Sequence, residues 1–116
     1  SFCYVDDLID GIYKLLNTDY SKPVNIGNPD EITINEFAKE IVKLTGTKQK
    51  VIYKPLPEND PLKRQPNIKK AKSLLNWQPK ISRSEGLKLT YEYFTSLSQE
   101  DLYKKDHNNF ETYIKY

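Results

Sequence analysis

In 116 residues there is no methionine, one cysteine, one histidine and four glycines, and each scarcity removes a class of answer. Without methionine there is no initiator, so the chain is expected to be a piece of a longer one. Cys3 cannot close an internal disulfide, and a reducing, cytoplasmic compartment is expected. His107 stands alone, so no metal is expected. No apolar run reaches transmembrane length and no N-terminal signal pattern is present, which argues against a membrane partner. Gly11, Gly27, Gly46 and Gly86 are not spaced to cradle a pyrophosphate at a helix start. Charge of one sign is lacking too: 18 basic residues face 16 acidic ones for a net charge of +2. The lysines are scattered rather than gathered in a stripe, so nucleic acid is not an expected partner.

What remains is a chain with 37% hydrophobic residues and a mean hydropathy of -0.75. That leaves a modest core, one that calls for a partner surface. Asp6 and Asp7 suit a helix N-terminus, and Val5, Leu8, Ile9, Ile12, Leu15 and Leu16 keep the three-and-four spacing of an amphipathic helix to about Asn17. Residues 23–27 read as a short strand. Thr33 and Glu36 form a capping box for a second helix, with Ile34, Phe37, Ala38, Ile41, Val42 and Leu44 as its buried face and Thr45 and Gly46 as its end. Residues 51–53 read as another short strand.

The stretch from Leu56 to Lys80 organises the rest. Pro57, Pro61 and Pro66 make its first part a loop, since each lacks an amide hydrogen and disfavours helix in the residue before it. From Asn67, the expected N-cap, a short helix follows with Ile68, Ala71, Leu74 and Leu75 on one face, and Pro79 is expected to close it. Trp77 reads as a core plug whose indole N–H finds a carbonyl. Ser82 and Glu85 offer a second capping box, with Leu87, Tyr91, Phe94 and Leu97 behind it. Arg64 is the leading site residue, because a guanidinium can grip a phosphate on two oxygens. The plain alternative is a surface arginine paired with Glu58 or Asp60.

Asp60, Pro61, Arg64, Pro66 and Ile68, then Lys70, Ala71 and Lys72, then Trp77 and Pro79 match D-P-x-x-R-x-P-D-I, K-A-K and G-W-x-P segments. On these residues the chain resembles the C-terminal part of the extended short-chain dehydrogenase/reductase group, most closely its NAD-dependent UDP-glucuronate decarboxylases. Asn67 and Asn76 depart from that pattern, standing where aspartate and glycine are usual. The opening Phe2, Tyr4, Val5 and Asp7 match R-x-F-x-Y-V-x-D without its arginine.

The resemblance implies an α/β fold class: the C-terminal substrate-binding portion of the extended fold, about four helices and two or three short strands, with the Rossmann domain mostly missing. It implies substrate binding by Arg64, at a diphosphate, and by Tyr4. It also implies NAD held mainly by the missing domain, a UDP-sugar substrate, and a homodimer as the full-length protein. The reaction implied is conversion of UDP-glucuronate to UDP-xylose and carbon dioxide, with the isolated piece inactive. No tyrosine is followed four residues later by lysine, so the catalytic pair of that group is absent. A 4,6-dehydratase or 4-epimerase, or a non-catalytic binding module, are the alternatives. Residues 1–98 are expected to form the sugar-nucleotide-binding portion and 99–116 a polar aromatic tail, loosely docked or disordered.

Overall fold

A computed structural model describes residues 1–98, and the tail expected at 99–116 lies outside them. Four helices follow one another: α1, Val5–Leu16; α2, Ile34–Thr45; α3, Lys69–Leu75; and α4, Arg83–Ser96. α1 packs on α3, and α2 on α4. The strands expected at 23–27 and 51–53 are not formed, and no strand occurs among the described residues. A strand needs backbone hydrogen bonds to a neighbour, and among the described residues no backbone hydrogen bond pairs either short segment with another.

The helix ends follow local chemistry. α1 begins after an extended Tyr4 without a side-chain cap, and carries Asp6 and Asp7 in its first turn. Thr33 and Glu36 close the reciprocal capping box of α2, which ends on a left-handed Gly46. Asn67, expected as the N-cap of α3, is not: Ile68 holds the cap position without a side-chain cap, and the Asn67 side-chain oxygen one residue earlier accepts from the Lys69 amide at 3.1 Å. α3 ends at Leu75, before Pro79 can act, because Asn76 turns left-handed at φ 46°. The Trp77 amide then reaches back six positions to the Ala71 carbonyl at 3.3 Å, and asparagine tolerates the left-handed conformation in place of glycine. Ser82 accepts from the Glu85 amide to start α4.

The core is small: Ile68, Ala71, Leu75 and Trp77 are buried, with Leu15, Val24 and Ile26 packed against them. Leu74, expected in this face, is exposed. Trp77 retains 1% of its surface and donates its indole N–H to the Asp7 carbonyl at 3.1 Å, as its reading as a core plug required. Gly11 makes this contact possible, since a Cβ there would lie 2.5 Å from an Ile26 methyl and 2.9 Å from the indole.

Two helix faces differ from expectation. α2 buries no residue fully, and Ile34, Ile41 and Leu44 of its intended inner face are exposed. Among the described helices only α4 packs on it, with Phe2 stacked on Phe37 beside that contact, and this leaves much of the face uncovered. On α1, Val5, Ile9, Ile12 and Leu16 make an exposed apolar stripe opposite Asp7 and Gly11, with Leu16 78% exposed.

Candidate functional site

Tyr4 and Arg64 stand at two different places. The Tyr4 ring packs over Gly86 of α4, where a Cβ would come within 3.2 Å of it. It lines an apolar groove of about 710 Å³ together with Phe2, Phe37, Leu87, Tyr93 and Phe94. Phe2 and Phe37 stack face to face there, centroids 3.8 Å apart and planes 11° from parallel. Arg64 is not among the walls of this groove. The start of the chain ties the Arg64 loop to the segment carrying Tyr4: Ser1 Oγ donates to the Arg64 carbonyl at 3.3 Å.

The loop that carries Arg64 is exposed from residue 51 to 65. It turns at 57–60, where the Asp60 amide reaches the Pro57 carbonyl at 3.2 Å and Asn59 takes a positive φ of 66°. Arg64 itself is 70% exposed and holds Asp60 Oδ1 at 2.8 Å. This is the pairing weighed as its plain alternative. Such a pair at the surface contributes little to stability, and it occupies one terminal nitrogen of a group with five N–H donors. The remaining donors are open to a phosphate. Lys63 next to it is drawn away to Glu31, at 3.1 Å.

Two residues with structural weight went unnoticed as such in the sequence. Asp7, read as a helix-dipole partner, is buried. Its carboxylate accepts from the backbone amides of Lys80 and Ile81 at 3.0 and 2.8 Å. Arg83 bonds the Asp30 carboxylate and, through Nε at 3.2 Å, Glu40. The hydrogen bond to Glu40 raises its pKa above the ordinary arginine value, against the opposing effect of desolvation. Neither could be found from spacing, because the partners lie 43 to 74 positions away.

Cys3 and Glu36 are shifted from their ordinary pKa, each by a structural cause. Cys3 is pushed up by burial and by the nearby Asp7 charge, which keeps its thiol protonated and unreactive. Glu36 is pulled down by the Thr33 hydroxyl and amide it accepts from, a helix-capping effect. No described helix is long and apolar enough to cross a membrane.

No family model matches the chain. It is 44% identical over 95 residues to UDP-glucuronic acid decarboxylase 1 of Danio rerio, covering 82% of this chain and 23% of that protein. It is 40% identical over 102 residues to UDP-glucuronic acid decarboxylase 1 of Arabidopsis thaliana, covering 87% and 23%. The chain thus spans about a quarter of the length of these curated relatives. Among solved structures it resembles the UDP-glucose 4-epimerase of Thermotoga maritima determined with UDP-glucose. The TM-score is 0.74 at 36% identity, over 80% of this chain and 30% of that one. In sequence and in fold, the chain belongs to the extended short-chain dehydrogenase/reductase family of sugar-nucleotide enzymes, as a partial stretch related to its UDP-glucuronic acid decarboxylases.

Proposed function

We propose that this chain is the UDP-binding part of an NAD-dependent decarboxylase that converts UDP-glucuronate to UDP-xylose and carbon dioxide. The observation that carries the reading is the match of 40 to 44% identity to UDP-glucuronic acid decarboxylases. Within it, residues 1–98 form the sugar-nucleotide-binding portion, Arg64 grips the diphosphate and Tyr4 contacts the substrate. Remote binding of this kind holds the sugar in reacting geometry while the chemistry happens elsewhere.

The described residues do not fit NAD. Gly11 is packed under Trp77, Gly27 against Pro66 and Gly86 under Tyr4, while Gly46 ends α2. None is part of a phosphate cradle. The dinucleotide site therefore belongs to other residues of the full-length protein, and no hydride step is derived from this chain. Those residues also cover the apolar stripe of α1 in this reading.

The test is an assay of the full-length protein with UDP-glucuronate and NAD, following carbon dioxide and identifying the nucleotide sugar. UDP-xylose with carbon dioxide is expected. Turnover without carbon dioxide would move the protein to the epimerase side, which the likeness to a UDP-glucose 4-epimerase favours as second reading. In the same protein Arg64→Ala is expected to weaken UDP binding by about 1.5 to 3 kcal/mol, the range for a hydrogen-bonded charge. Unchanged UDP affinity, measured by calorimetry, would return Arg64 to a surface pair with Asp60.

A further inference from the structure

Residues 63–67 lie alongside residues 25–31 in antiparallel order, and every tie between the two runs through a side chain. Asn25 Nδ2 donates to the Asn67 carbonyl at 3.4 Å. Pro66 abuts Gly27, where a Cβ would sit 3.1 Å from the proline ring. Gln65 Nε2 donates to the Pro29 carbonyl at 2.9 Å, and Lys63 pairs with Glu31. No backbone hydrogen bond joins the two segments among the described residues. Arg64 turns its side chain away from this clasp, to Asp60.

We infer that this side-chain clasp is a positioning device for Arg64, with Gln65 as its positioning residue. The inference rests on the reading of Arg64 as the diphosphate ligand. An arginine on a loop exposed over 15 positions would have to be ordered each time a ligand bound, and that ordering opposes affinity. Gln65 and Lys63 take up the neighbours on either side of Arg64, so its backbone is held before the ligand arrives. The Gln65 contact is the shorter of the two hydrogen bonds to backbone carbonyls in the clasp. It falls on the residue immediately after Arg64. Gly27 serves the same end, because a Cβ there would sit 3.1 Å from the Pro66 ring and the ring would have to give by a few tenths of an ångström.

The experiment is a double-mutant cycle on the full-length protein, reading UDP dissociation constants by calorimetry and melting temperature beside them. Gln65→Leu keeps most of the aliphatic part of the side chain and deletes its donors. It is expected to weaken UDP by about 3- to 10-fold, the size of one net hydrogen bond, with the melting temperature within about 2 °C, as for a surface substitution. In an Arg64→Ala background the same change is expected to do nothing further, because a residue that acts through Arg64 has nothing left to position. Gly27→Ala is expected to weaken UDP in the same sense. The inference is overturned if Gln65→Leu leaves UDP affinity unchanged while Arg64→Ala reduces it, or if Gln65→Leu costs as much with alanine at 64 as with arginine. If Arg64→Ala itself has no effect, the diphosphate reading fails first and the positioning role falls with it.

Discussion

α1 and α3 are held together by a buried indole, α2 and α4 by an arginine. The first pair closes round Trp77, which fills the space against Gly11 and ties α1 through the Asp7 carbonyl. The second shares Arg83, which reaches from the start of α4 to Glu40 on α2 and Asp30 ahead of it. Burial rewards exact filling and tolerates few changes. A half-exposed ion clamp orients two helices but draws little net energy, since water competes for both partners. The molecule thus has a tight half that sets its stability and a looser half that presents surface.

The largest test of that difference is Trp77→Ala, expected to cost about 3 to 5 kcal/mol, as for truncation of a fully buried aromatic. Denaturant unfolding of the full-length protein would measure it. A loss below about 1 kcal/mol would mean that the α1 and α3 half is not the tight one. Arg83→Met should be much milder, about 1 kcal/mol or less, because it keeps the aliphatic stem over α2 and loses only screened ion pairs. If it cost as much as Trp77→Ala, the contrast between the two halves would collapse.

The smallest effect expected is one of pH at the start of α2. The Glu36 carboxylate is held below its ordinary pKa by the Thr33 hydroxyl first and the Thr33 amide second. A depressed carboxylate contributes stability above its unfolded pKa, and that contribution is lost as pH falls through the folded value. Acidification below the ordinary glutamate range should therefore loosen the first turn of α2 while the Trp77 region stays packed. Amide chemical shifts of Thr33 and Glu36 would follow it. Thr33→Ala should move the Glu36 titration back up, and an unmoved titration would remove the capping box as its cause.

How much of this was legible in the sequence depended on the range of the interaction. The capping box at Thr33 and Glu36, the Asn67 side-chain bond ahead of α3 and the left-handed turn at Asn76 involve atoms two to six positions apart. Residue type and spacing state such contacts directly. The burial of α2 was misjudged because periodicity shows that a face is apolar, not what lies against it. Leu74 was assigned to the core for the same reason. The strand readings failed because short apolar runs carry no information about a neighbouring strand.

For the site the division is similar. Arg64 was singled out by residue type within a recognisable D-P-x-x-R-x-P run, and its pairing with Asp60 is local, four positions apart. The clasp that orders the loop links residues 36 and 42 positions apart through Gln65 and Asn25, both of which look like ordinary loop amides in the sequence. Asp7 shows the limit most plainly. Its position at a helix start was readable. Its bonds to Trp77, Lys80 and Ile81 span 70 to 74 positions and exist only once α1 has packed on α3. Helix boundaries came from hydrogen bonds within a turn or two of chain, which residue order encodes directly. Which carboxylate is buried, which arginine clamps and which loop is held came from chain segments meeting in space, and that depends on packing the whole domain together.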